Sequence, residues 1–121
     1  MPKILIADDS VTIRRLIRTF IENREGFEVC EAIDGVDAIE KAKELQPDLI
    51  ILDLAMPRIN GAEAASVLKR MMPDVPVILF TMYDEMMSRS LASTIGVDLV
   101  LSKPDGMRRM MAHVQHLLGA A

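Results

Sequence analysis

Of the 121 residues in the chain, 50% are hydrophobic and 26% are charged, a composition that excludes a disordered chain. The 14 Lys and Arg against 18 Asp and Glu give a net charge of −4, which argues against direct binding of nucleic acid by this domain. One cysteine (Cys30), no apolar run near the ~20 residues of a membrane span and no signal-peptide pattern together predict a cytoplasmic protein without membrane contact.

Short apolar runs alternate along the chain with longer segments of helical periodicity. Five strands are predicted from the runs at 3–7, 27–31, 49–53, 76–80 and 98–101. Good N-capping residues predict helix starts at Ser10, Asp34, Asn60 and Asp84. Five strands alternating with five helices are typical of an open parallel α/β sheet with helices on both faces. No linker divides the sequence, so residues 1–121 are predicted to form a single domain.

Polar residues stand where four of these strands end. Asp8 and Asp9 follow the first strand, and Asp53 ends the third. Thr81 follows the fourth strand, and Lys103 comes shortly after the fifth. Ligands of open parallel sheets bind beyond the carboxyl ends of the strands, so these five side chains are predicted to converge on one pocket.

Three carboxylates in one pocket require a counter-charge. Two unit charges ~4 Å apart repel by roughly 4 kcal/mol at an effective dielectric of ~20. A set of oxygen ligands favours a hard cation such as Mg²⁺, which often bridges to phosphate. Lys103 and Thr81 add an ammonium and a hydroxyl donor, the groups that a phosphoryl oxyanion needs. The pattern therefore predicts a magnesium site that handles phosphoryl groups.

From end to end, the chain resembles the receiver domains of two-component response regulators, with a chemotaxis-regulator-like layout. The resemblance is carried by Asp8-Asp9, Asp34-Gly35, Asp53, Met56-Pro57, Gly61, Thr81 and Lys103-Pro104. It implies the fold of that family, a flavodoxin-like, doubly wound, five-stranded parallel sheet with strand order 2-1-3-4-5 and five helices. This fold agrees with the alternation of strands and helices in the sequence.

The resemblance implies a phosphoprotein that works in a two-component phosphorelay. Asp53 would accept the phosphoryl group from a phosphohistidine on a sensor histidine kinase or a histidine phosphotransferase. The implied cofactor is Mg²⁺, held by Asp8, Asp9, Asp53 and the backbone carbonyl of Ala55. Such a chain is a signalling module and not a turnover enzyme, because it catalyses only its own phosphorylation and dephosphorylation.

Two further residues would act on the phosphorylated state. By resemblance, Lys103 pairs with the Asp53 carboxylate and then with the phosphoryl group, while Thr81 moves to bond the phosphate. The resemblance also implies a cis bond between Lys103 and Pro104. A downstream protein would read the change on the face formed by the fourth helix, the fifth strand and the fifth helix.

Three positions depart from the family pattern. Val100 stands where the fifth strand usually carries Tyr or Phe, Met82 replaces a small residue, and Asp105 replaces a common Phe. Val100 and Met82 keep open a degenerate receiver that acts as a protein-interaction module without phosphorylation, although the complete set of site residues argues against it. A flavodoxin is disfavoured, because Asp8 and Asp9 would repel the flavin phosphate. An aspartyl phosphatase needs Asp-x-Asp after its first strand, whereas this chain has adjacent aspartates.

Overall fold

A computed structural model gives the structure of the chain and describes residues 1–23, 26–54, 56, 58–81, 93, 96–97, 99–102 and 112–118. The strands are β1 (Lys3–Ala7), β2 (Glu28–Ala32), β3 (Leu49–Asp53), β4 (Val77–Thr81) and β5 (Leu99–Ser102). The helices are α1 (Val11–Glu22), α2 (Gly35–Leu45) and α3 (Gly61–Met71). Residues 112–117 are also helical. No helix among the described residues is long and apolar enough to cross a membrane.

The five strands form one parallel sheet in the order β2-β1-β3-β4-β5, which confirms the predicted strand order. The chain passes from β2, at one edge, to β3 on the other side of β1. This reversal of direction opens a crevice between the ends of β1 and β3, where such sheets bind their ligands. Ala7 pairs with Leu52, so the next residues, Asp8 and Asp53, come at the same level of the sheet.

Helices cover both faces of the sheet, which confirms the doubly wound arrangement. On one face, Leu5 and Leu52 belong to an apolar cluster that also contains residues of α2 and α3. On the other face, Ile6 and Ile51 belong to a cluster with residues of α1 and with Val114 of the 112–117 segment. Parallel strands covered on both sides consist largely of apolar residues, and β3 is buried at all five of its positions.

The helix starts agree with the sequence where they are described. The side chains of Ser10, Asp34 and Asn60 each accept the backbone N–H three residues further on, at 3.3, 2.8 and 2.9 Å. Each cap satisfies one of the N–H groups that a helix start leaves without a partner. The fourth predicted cap, Asp84, lies outside the described residues.

The strand boundaries agree with the prediction to within one residue. β1 and β3 match it, whereas β2, β4 and β5 each begin and end one residue later. The reason is that strand pairing continues past the apolar runs: Ala32 pairs with Ala7, and Thr81 pairs with Ser102. The boundaries of these strands are therefore determined by backbone pairing and not by the polarity of the side chains.

Candidate functional site

Three aspartates meet where β1 and β3 end. One carboxylate oxygen from each of Asp8, Asp9 and Asp53 lies within 4.8 Å of the others. Asp8 is 2% exposed and Asp53 is 8% exposed, while Asp9 lies at the surface. The prediction that these side chains converge is confirmed for the aspartates, and the parallel register of β1 and β3 is the cause.

The electrostatics of the cluster favour a bound cation. At 4.8 Å and an effective dielectric of ~20, two carboxylates repel by about 3 kcal/mol, and the burial of Asp8 and Asp53 limits screening by solvent. The cluster offers only hard oxygen donors. Mg²⁺ is bound in proteins by a small number of carboxylates and keeps several of its waters, so this donor set fits Mg²⁺.

The turn between β1 and α1 fixes the position of Asp8. Its carboxylate oxygen Oδ1 accepts the backbone N–H of Ser10 at 2.9 Å. Its own backbone N–H donates to the carbonyl of Ala32 at 3.2 Å, which continues the pairing of β1 with β2. The carboxylate therefore lies beside the first turn of α1, whose unpaired N–H groups favour negative charge.

An ion-pair network supports the other side of Asp8. The Nη1 of Arg14 donates to the backbone carbonyl of Asp8 at 2.6 Å, and its Nε donates to Glu31 at 3.0 Å. Glu31 also pairs with Arg18. Burial would raise the pKa of Glu31, but hydrogen bonds from Arg18 and Arg14 outweigh this effect and lower the pKa below its ordinary value. The network links α1 to β2 next to the aspartates.

The backbone around Asp53 is closely packed. The N–H of Leu54 donates to the carbonyl of Phe80 at 2.8 Å, and the N–H of Gly61 donates to the carbonyl of Leu54 at 2.8 Å. A Cβ atom on Gly61 would lie 2.1 Å from the carbonyl oxygen of Asp53, so only glycine fits there. The start of α3 therefore packs directly against the backbone of Asp53.

The other predicted site residues are only partly described. Thr81 ends β4 one position beyond Phe80, which pairs with Asp53, so its backbone stands next to the aspartate cluster. Thr81 itself pairs with Ser102, the last residue of β5. Ala55, Lys103 and the predicted cis bond to Pro104 lie outside the described residues, as do Met82 and Asp105. Their roles stay predictions.

The contacts of two arginines, Arg14 and Arg58, were not predicted from the sequence. Arg14 lies on a helix whose three arginines suggest a solvated surface, yet its side chain is 11% exposed and binds the backbone of Asp8. Arg58 binds Asp34 across 24 positions of sequence. The only available signal was the presence of acidic residues, Glu31 and Asp34, on neighbouring elements, which does not by itself specify a pair.

The fold and the aspartate cluster define a doubly wound α/β protein with a candidate metal site in the β1–β3 crevice. The family model of the response regulator receiver domain matches residues 4–115. The chain therefore belongs to the receiver domain family of two-component response regulators, as the resemblance predicted.

Individual relatives agree with this assignment. The alkaline phosphatase synthesis transcriptional regulatory protein PhoP of Bacillus subtilis is 34% identical over 116 residues, which cover 96% of this chain and 48% of PhoP. Protein PilG of Pseudomonas aeruginosa is 30% identical over 115 residues, covering 93% of this chain and 84% of PilG. The chain spans about half the length of the first curated relatives it matches.

Solved structures show the same fold. The receiver domain of the Francisella response regulator 1452 has a TM-score of 0.89 and 28% identity, with 98% of each chain covered. The chemotaxis response regulator CheY4 of Vibrio cholerae has a TM-score of 0.86 and 27% identity, covering 97% of this chain and 98% of the other.

Proposed function

We propose that this chain is the phosphoacceptor module of a two-component phosphorelay. Asp53 takes a phosphoryl group from a phosphohistidine on a sensor histidine kinase or a histidine phosphotransferase. Mg²⁺ is the cofactor, held by Asp8, Asp9, Asp53 and the backbone carbonyl of Ala55. The observation that carries the proposal is the approach of three aspartate oxygens to within 4.8 Å at the β1–β3 crevice of a receiver domain.

The reaction is a transfer of one phosphoryl group between two nucleophiles. A carboxylate oxygen of Asp53 forms a bond to phosphorus while the bond from phosphorus to the imidazole nitrogen breaks, and that nitrogen keeps the electron pair. When bound, Mg²⁺ supplies positive charge to the phosphoryl oxygens. Because the attacked group is rich in electrons, catalysis depends mainly on positioning and on neutralising charge.

Among the three aspartates, Asp53 suits the nucleophile best. Asp8 lies in the turn before α1, beyond the end of β1, and Asp9 is exposed to solvent. Asp53 is buried at the end of a central strand, with its backbone clamped between β4 and the start of α3. A nucleophile held this firmly needs little reorganisation to reach phosphorus.

The remaining roles belong to this same proposal. Lys103 neutralises the carboxylate and then the phosphoryl group, and Thr81 donates its hydroxyl to the phosphate. The chain is not a turnover enzyme, since it catalyses only its own phosphorylation and dephosphorylation. The single free cysteine, Cys30, is compatible with the reducing cytoplasm, where we place the protein.

The output is carried by a downstream protein or a further domain that binds the face of the fourth helix, fifth strand and fifth helix. Relatives of this chain include a transcriptional regulatory protein and a protein-glutamate methylesterase, each longer than the matched segment. We propose that this domain passes its signal by protein contact and does not itself bind nucleic acid. Its net charge of −4 supports that view.

The test is phosphorylation with acetyl phosphate and Mg²⁺, measured as acyl phosphate by intact mass and acid-labile label. We expect one phosphoryl group per wild-type chain and none on Asp53→Asn. Asp74→Asn is the matched control, because it makes the same change at an exposed site, and it should be labelled like the wild type.

Label that remains on Asp53→Asn, or that forms equally in EDTA, contradicts the proposal. A wild-type chain that takes no label from acetyl phosphate or from phosphohistidine donors, yet binds its partner, indicates the degenerate interaction module instead.

A further inference from the structure

Among the described residues, an ion pair attaches the connection between β3 and α3 to the N-cap of α2. Nε and Nη2 of Arg58 donate to Oδ2 of Asp34 at 2.9 and 2.6 Å. The Asp34 side chain is 7% exposed, whereas that of Arg58 is 58% exposed. The guanidinium therefore reaches from the surface to a buried carboxylate, and two charge-assisted hydrogen bonds on one oxygen hold it there.

Arg58 adopts a backbone conformation that arginine rarely takes. Its φ is +67°, in the left-handed region, where a side chain crowds the neighbouring carbonyl. Such a conformation persists only where surrounding contacts determine it. Among the described residues, the pair with Asp34 is one contact that can determine this conformation. The connection is therefore held in a shape that its own backbone preferences do not favour.

Asp34 has two tasks, one for each carboxylate oxygen. Oδ1 accepts the N–H of Asp37 and caps α2, while Oδ2 accepts the two hydrogen bonds from Arg58. The backbone N–H of Asp37, together with the Arg58 guanidinium, lowers the pKa of Asp34 against the opposing effect of burial. The carboxylate is thus charged at neutral pH and can bind the helix and the connection at once.

Close backbone packing supports the same attachment. A Cβ atom on Gly35 would lie 2.4 Å from the carbonyl oxygen of Ile59 and 2.6 Å from its Cγ2. Met56 is 8% exposed and belongs to the core cluster beneath α2 and α3. The described residues of the connection are therefore anchored at three points, and Asp53 lies at the start of this anchored segment.

We propose that Arg58 is a positioning residue for the metal-assisted chemistry of Asp53. Its ion pair with Asp34 holds the β3–α3 connection on α2, and this fixes the Asp53 carboxylate relative to Asp8 and Asp9. The inference rests on the function proposed above. Positioning by Arg58 and its positive charge have opposite effects on the affinity for Mg²⁺.

As a positive charge, Arg58 repels Mg²⁺, so its removal should tighten Mg²⁺ binding if only long-range electrostatics mattered. If it positions the site, its removal should weaken Mg²⁺ binding. We expect Arg58→Gln to raise the Kd for Mg²⁺ by roughly threefold to tenfold. The measurement is an NMR titration of the full chain with Mg²⁺, following the amides of the three aspartates.

Two companion variants separate the ion pair from other effects. Asp34→Asn keeps an oxygen that can cap α2 but loses the charge, and it should weaken Mg²⁺ binding to a similar extent. In the double variant the two losses should not add, since each removes the same pair. Arg58→Lys retains a cationic donor and should recover part of the affinity. Hydrogen exchange at the Gly61 amide should accelerate in Arg58→Gln while amides of β1 stay protected.

Arg70→Gln is the matched control, because it makes the same change and removes one positive charge, but at an exposed position in the last turn of α3, away from the connection. It should leave the Kd unchanged or slightly lower. The inference is overturned if Arg58→Gln binds Mg²⁺ as well as or better than the wild type. It is also overturned if the losses in the double variant add, or if Arg58→Lys is no better than Arg58→Gln.

A failure of the proposed function gives a different result from a failure of this inference. In the first case the wild type forms no Mg²⁺-dependent acyl phosphate at Asp53. In the second, the wild type forms it and only the Arg58 variants fail to respond as expected.

Discussion

Replacing Gly61 with alanine tests how closely the start of α3 packs against the strand that carries Asp53. The added Cβ would lie 2.1 Å from the carbonyl oxygen of Asp53 and 2.7 Å from the Cα of Leu54, whereas ordinary contacts begin at 3.4 Å. Both obstructing atoms belong to the backbone, so no side-chain rotation can relieve the clash. The helix or the strand end must move by more than 1 Å.

The cost of this movement can be estimated. Overpacking a tightly packed site costs about 1–3 kcal/mol, and a clash with backbone belongs near the upper end of that range. The better helix propensity of alanine offsets at most about 1 kcal/mol. We therefore expect Gly61→Ala to lower the free energy of unfolding by about 2 kcal/mol. With a urea m-value of about 1–3 kcal/mol/M, the midpoint falls by roughly 1 M.

The assay is urea unfolding followed by circular dichroism, together with a Mg²⁺ titration. Because the clash displaces Asp53, Gly61→Ala should also bind Mg²⁺ more weakly. Gly26→Ala is the control: its φ of +99° strains alanine, but nothing lies within 4 Å of the added Cβ. It should lose about 1 kcal/mol of stability and keep its Mg²⁺ affinity. Wild-type stability and Mg²⁺ affinity in Gly61→Ala would refute the reasoning.

Two further predictions concern the charges. Mg²⁺ at a hundredfold excess over its Kd should raise the free energy of unfolding by about 2.7 kcal/mol. The Asp9→Asn variant should lose most of this increase. If the increase is retained in Asp9→Asn, the cation binds elsewhere. For Asp34, the folded pKa lies below the ordinary value of 3.8, so its stabilising effect is complete above pH 3.8 and is lost as the pH falls through the folded pKa. Asp34→Asn should therefore show a shallower loss of stability in acid than the wild type, measured by urea unfolding at a series of pH values.

The parts of the fold that could be predicted are those that depend on local pattern. The apolar runs of β1 and β3 end directly at charged residues, and both strands were predicted to the residue. The cap positions of α1, α2 and α3 follow from the identity of single residues and were confirmed. Both boundaries of β2, β4 and β5 were predicted one residue too early, because they depend on pairing partners that no local window contains.

The candidate site likewise has one part that could be predicted from the sequence and one part that could not. The meeting of Asp8, Asp9 and Asp53 follows from strand ends in a parallel sheet, so the sequence was sufficient to predict it. The pair of Arg58 with Asp34 was not predictable, because it depends on a left-handed backbone at Arg58 and on the approach of two loops. A sequence motif indicates candidate site residues, but it does not indicate which tertiary contacts hold them in position.

The aspartates stay close together because the strands that carry them cannot separate. Two carboxylates at the 4.8 Å limit of the cluster repel by about 3 kcal/mol at an effective dielectric of ~20. The four residues that precede Asp53 in β3, Leu49 to Leu52, are each at most 1% exposed, and burial of each side chain contributes about 1.5–3 kcal/mol. Burial therefore outweighs repulsion severalfold, and β3 remains paired with β1 and β4. On a flexible loop the same three carboxylates would move apart, whereas here the paired strands keep them together in an arrangement that favours a cation.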